Sequence, residues 1–190
     1  MDIYLSNRKE RAIMAYAIKK VHEIHSKRSE GGYLGRTALQ KIMYFLVRKG
    51  VPLPYKFEIY HYGPFCSDIY HDVDCLQVDG IIQNQTPDKH YWNFVPDENM
   101  DDYLEKHEKI INRYKHKIDE VVEMFPGLSP KDLELISTLD YTYQDEKAKS
   151  KSSPEKQKVV DRFLKIKKEK YTREKIESTY AILLQKNFFE

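Results

Sequence analysis

Long apolar runs are missing from this 190-residue chain. No stretch approaches the roughly 18–20 apolar residues of a membrane-spanning helix, so no membrane partner is expected. The opening Met1-Asp2-Ile3-Tyr4-Leu5-Ser6-Asn7 lacks the basic and apolar regions of a secretory signal. Cysteine is scarce: Cys66 and Cys75 lie nine positions apart in one predicted helix. That separation is about 13 Å along a helix axis, too far for a disulfide. A reducing cytoplasmic compartment is the expectation. There is no Cys-x-x-Cys pair, and His22 and His25 have no third ligand close in sequence. No metal and no cofactor are therefore predicted. Glycine is also sparse, and Gly31-Gly32-Tyr33-Leu34-Gly35 has neither a following Lys-Ser/Thr nor a preceding strand. A phosphate-cradling loop is excluded on those grounds.

What is abundant is tyrosine and charge. The chain has 15 Tyr and 8 Phe, 41% hydrophobic residues and 33% charged ones. That supports a core beneath a very polar surface, in one large domain or two small ones. The expected class is mostly α with a small β-hairpin. Helices are predicted at 7–28, 37–49 and 67–79, with a short strand at 57–62 and a hairpin within 81–95. In outline this is winged-helix-like. A continuous helix is expected from Asp97 to Met124, with Met100, Leu104, His107, Ile111, Tyr114, Ile118, Val121 and Phe125 at heptad spacing. That seam packs inside its own domain or joins a homodimer through residues 100–125. Ser129-Pro130-Lys131-Asp132 opens another helix, with serine at the N-cap and an acid three residues on. Residues 145–158 read as a polar linker, followed by a helix to about Lys170 and a last one capped by Thr172. Its buried face is Ile176, Tyr180, Leu183 and Leu184. The division expected is 1–96 for the core with strand and hairpin and 97–190 for the helical remainder, packed as one domain.

Charge is blocked along the chain. Asp97–Glu146 holds 6 basic and 14 acidic residues, a net of −8; Lys147–Lys175 holds 12 basic and 4 acidic, a net of +8. Such blocks either pair internally or meet partners. The helix before the hairpin carries Asp68, Asp72, Asp74 and Asp79 and has no Lys or Arg between Cys66 and Gly80. A surface of that sign repels phosphates, so nucleic acid is not the expected partner of this helix.

The densest chemistry lies between Leu39 and Phe65. Leu39-Gln40-Lys41-Ile42-Met43-Tyr44-Phe45-Leu46 is an amphipathic helix, and Phe57-Glu58-Ile59-Tyr60-His61-Tyr62-Gly63-Pro64-Phe65 is an aromatic strand ending in a turn. Strand alternation puts Phe57, Ile59 and His61 on one face and Glu58, Tyr60 and Tyr62 on the other. Large, stiff aromatic side chains left outside the core are typical of protein-binding surfaces. Catalytic groups are few: Cys66 near a helix start, with His61 or His71 close in sequence, is the one nucleophile–base pairing available.

Leu39-Gln40-Lys41 with Tyr44-Phe45, then Phe57 and Tyr62-Gly63-Pro64-Phe65, then Leu76 and Gly80-Ile81-Ile82 resemble the Panacea domain, the SocA-like antitoxin family. The resemblance covers about residues 10–95 and implies a bacterial, archaeal or phage protein. It implies an antitoxin-like role without catalysis: holding a partner toxin inactive by contact, or delivering it to a protease. The implied framework is Gln40, Lys41, Tyr44, Phe45, Tyr60, Tyr62, Gly63 and Pro64. Gly63 would supply a backbone conformation others resist, Pro64 would lead into the next helix, and Tyr44 and Tyr62 would meet near the turn. The competing reading is a winged-helix transcription regulator using the basic C-terminal region on DNA.

Overall fold

A computed structural model describes residues 8–28, 32–86, 91–124, 127–150 and 152–190. The turn expected around Pro87-Asp88-Lys89 and the helix end at Phe125-Pro126 lie outside the described residues. The fold is mostly α with little β. In chain order it runs α1 (Lys9–Ser26), α2 (Arg36–Arg48), β1 (Glu58–Tyr60), β2 (Gly63–Phe65), α3 (Asp68–Val78), β3 (Ile82–Asn84), β4 (Phe94–Pro96), α4 (Met100–Lys106), α5 (Glu108–Glu123), α6 (Pro130–Ser150), α7 (Lys156–Lys167), a 3-10 turn (Lys168–Lys170) and α8 (Arg173–Gln185). None of the described helices is long and apolar enough to cross a membrane.

The chain forms two compact units. The first takes in the residues up to Phe57 together with Phe65–Leu128; the second takes in Glu58–Pro64 and Ser129–Glu190. In the first unit α1 supplies the central apolar stripe, with Ala12, Ile13, Met14, Ala17 and Ile18 fully buried. It packs on α5, α4 and β4. The α2 face of Leu39, Ile42, Met43 and Leu46 completes the core. β3 and β4 pair antiparallel with Ile82 opposite Pro96 and Asn84 opposite Phe94. The edge of β4 is extended by residue 34, where Phe94 N donates to Leu34 O and Leu34 N to Asn93 Oδ1.

The continuous helix expected over 97–124 is two helices. The break is at His107, whose N–H bonds Leu104 O in a tight i−3 turn and whose ring packs edge-on to Tyr103 at 4.6 Å. The heptad residues Met100, Ile111, Ile118 and Val121 are buried within this unit, and Tyr16 of α1 donates to Asp119 of α5.

The second unit is a three-helix cluster around Leu139, Val159, Val160, Phe163, Ile176 and Leu183. Phe189 stacks on Tyr143 at 4.2 Å and closes one end. The Ser129–Asp132 box forms in both directions: Asp132 N donates to Ser129 Oγ, and Ser129 N to Asp132 Oδ2. Those bonds hold the Asp132 carboxyl below its ordinary pKa. Thr172 caps α8 by accepting from Lys175 N. Two expectations change here. Residues 145–150 continue α6 rather than forming a linker, because Lys149 pairs with Asp145 one turn back and Arg162 of α7 with Asp145 and Glu146. Leu184 is 52% exposed; Leu183 and Ile176 take the buried face.

Candidate functional site: an aromatic hairpin turn

β1 is too short to bury both faces, and its alternation decides what reaches solvent. Glu58, Tyr60 and Tyr62 are exposed, while Phe57 and Ile59 are half-buried. His61, which alternation places on the Phe57–Ile59 face, is exposed because β1 ends at Tyr60. The segment Gly63-Pro64-Phe65, expected as a turn, is instead β2, paired with β1 across the short loop His61-Tyr62. Gly63 has φ +90° and is buried. Side chains resist that left-handed region, and glycine is the residue that ends such a tight loop at least cost. Pro64 is a buried residue of β2, separated from α3 by Phe65, Cys66 and Ser67, so it does not set the start of that helix.

Within the second unit this loop rests on a buried charge cluster. Lys167 Nζ donates to His61 O at 2.8 Å and pairs with Glu134 Oε1 at 2.9 Å. Both side chains are 3% exposed. Lys170 pairs with Glu134 Oε2 at 2.7 Å, and its ammonium lies 4.9 Å from the Tyr62 ring centroid. The Glu134 carboxylate is thus held between two cations, and Lys170 adds a cation–π contact to the tyrosine. Burial lowers the Lys167 pKa, and Glu134 opposes that shift. Lys168, between the two lysines, has φ +50°. A non-glycine residue there costs on the order of 1–2 kcal/mol. The reversal brings Lys167 and Lys170 to the same carboxylate. On this base Tyr60 and Tyr62 are 59% and 60% exposed. The Tyr60 ring packs on His61 at 4.3 Å.

The remaining framework residues are interior parts of the first unit. Gln40 brackets the backbone of Cys66: its Nε2 donates to Cys66 O at 2.9 Å, and its Oε1 accepts from Cys66 N at 3.0 Å. Lys41 is 2% exposed, and Tyr44 and Phe45 are buried. Tyr44 lies edge-on to Phe45 at 5.1 Å and to Phe57 at 5.3 Å. Tyr44 is part of the first unit's core, and Tyr62 is an exposed ring beside Lys170 in the second.

Two polar clusters were not expected from sequence. One is the Lys167–Glu134–Lys170 group. The other is in the first unit, where Arg11 Nε bonds Asp72 Oδ1 at 2.7 Å and Tyr55 OH donates to Asp72 Oδ2 at 2.8 Å, all three residues buried. Burial and the neighbouring Asp72 carboxylate push the Tyr55 hydroxyl far above its ordinary pKa. Glu134 had a sequence signal, a lone acid between Leu133 and Leu135; Arg11 and Asp72 had none.

Cys66 is buried with its backbone held by Gln40, and the His71 ring faces Cys75 at 3.9 Å. Among the described residues, no group of three His, Cys, Asp or Glu converges as a metal site would. The α3 surface is acidic through Asp68 and Asp74, with Asp72 withdrawn into its ion pair. No known protein-family model matches the chain, and no curated protein matches it. The Panacea resemblance rests on the motif residues alone.

Proposed function

We propose that the protein is an antitoxin-like, non-catalytic binding module that contacts a partner protein through Tyr60 and Tyr62. The observation that carries this reading is the pair of solvent-facing tyrosines on a loop whose backbone is fixed by Lys167 and Gly63. Tyrosine offers a large amphipathic contact with little rotamer entropy to lose, and a loop fixed in advance loses less on binding. The framework residues of the resemblance support the same reading: Gln40, Tyr44 and Gly63 shape the segment rather than present reactive groups. The partner is a toxin encoded beside this chain, either blocked by contact or handed to a protease.

Co-expression with the product of the neighbouring gene tests it. That product alone should arrest growth, and co-expression should restore growth and yield a stoichiometric complex. A harmless neighbour that forms no complex with this chain ends the proposal.

A further inference from the structure

Cations of the first unit differ in whether an acid meets them. Lys19, Lys20, Lys49 and Lys115 are matched to Asp101, Glu23, Glu120 and Asp119. Lys9, Lys109 and Arg113 form no ion pair with a described residue. These three converge, with Lys106, His107 and Ile110, on a cleft of about 430 Å³ at the break between α4 and α5. No carboxylate is among the described residues that line it. The volume falls in the range of small-molecule sites. His107 registers the crowding: its pKa is lowered by burial and then by Lys106 and Lys9. Gathering Lys9, Lys109 and Arg113 at one cleft costs free energy that a bound anion recovers.

We propose that this cleft binds a small ligand carrying a chain of two or three phosphates, such as a nucleoside triphosphate. The distribution of acids favours a compact polyanion over an extended one. Asp101, Asp102, Glu105 and Glu108 are exposed on the same two helices. A nucleic-acid backbone laid across this surface would meet them, whereas a short phosphate chain stays among the cations. Ile110 gives an apolar wall for whatever the phosphates carry. The proposal does not depend on the role of the Tyr60–Tyr62 loop.

Calorimetric titration of the full chain with inorganic tripolyphosphate and with ATP tests the proposal. Tripolyphosphate should bind saturably at one site, and ATP as tightly or more so. Lys109 and Arg113 are exposed, so K109A/R113A should fold, as its melting temperature would verify. Losing two charge-assisted contacts should weaken binding at least about tenfold. K165A/K175A removes the same net charge from exposed positions elsewhere and should bind like the wild type. Tripolyphosphate binding no tighter than sulfate overturns the proposal, as does equal weakening in both double variants. So does preferential binding of duplex nucleic acid through Lys109 and Arg113.

Discussion

Replacing Lys167 by Met isolates what the buried charge cluster does for the aromatic loop. Methionine keeps the length and most of the apolar stem, so packing in α7 changes little. What is lost is the hydrogen bond to His61 O and one of the two cations on Glu134. A hydrogen bond from a charged donor contributes about 1.5–3 kcal/mol. Removing one partner of a buried pair costs about 3–5 kcal/mol when the other charge is left alone. Here Glu134 keeps Lys170, so the second term is reduced, and the expected total is about 2–4 kcal/mol. Lys170→Met is the internal comparison. Its side chain is 37% exposed, and solvent screening limits its effect to about 1 kcal/mol. Urea unfolding followed by circular dichroism measures both, and amide exchange at residues 61–64 should accelerate in K167M alone. A K167M loss below about 0.5 kcal/mol, or one matched by K170M, would refute the reasoning.

Other expectations follow from the same inventory of contacts. Gln40→Met strips both partners from the Cys66 backbone, and at about 1–3 kcal/mol for each unsatisfied group it should destabilise by about 2–6 kcal/mol in chemical denaturation. Asp72→Asn leaves Arg11 as a buried charge without its counter-ion and should cost about 3–5 kcal/mol in thermal or urea unfolding. His25 and His107 have pKa values lowered by burial and by nearby cations or a second histidine. Their unfolded forms bind protons more readily, so the stability tied to their neutral state is intact above about pH 6.5 and falls as pH drops below it. NMR titration should place both midpoints under 6.5, and a normal or raised midpoint for either contradicts that assignment.

Local signals carried far in this chain, and non-local ones did not. The Ser129–Asp132 box and the Thr172 cap are short-range devices, and both form where their residues stand. Alternation grouped Glu58, Tyr60 and Tyr62 on one face without saying which face is buried, and all three are exposed. The heptad run through His107 hid the break between α4 and α5, because hydrophobic spacing continues across it while the backbone tightens to an i−3 bond. Residues 145–150 looked like a linker by composition, and Arg162, from the next helix, is what makes their acids helix-compatible. Gly63-Pro64 reads as a turn in isolation and becomes strand only through β1. The long-range polar contacts were least visible. Gln40 meets Cys66 across 26 residues, Arg11 meets Asp72 across 61, and Lys167 meets His61 across 106. The opposite charge blocks of the C-terminal half were legible as blocks. Their partial cancellation, Arg162 against Glu146 and Lys170 against Glu134, needed the packing of α6, α7 and the 3-10 turn.

The central claim is that Tyr60 and Tyr62 form the contact with the partner. Its most direct test is the affinity of Y60A/Y62A for the neighbouring gene's product, the proposed toxin, measured beside the wild type by titration calorimetry. Both side chains are exposed, so the melting temperature should change little. The account predicts a loss of affinity of at least about 100-fold, the effect of two truncated hot-spot residues, together with loss of growth protection. Wild-type affinity and protection in a folded Y60A/Y62A variant would contradict it.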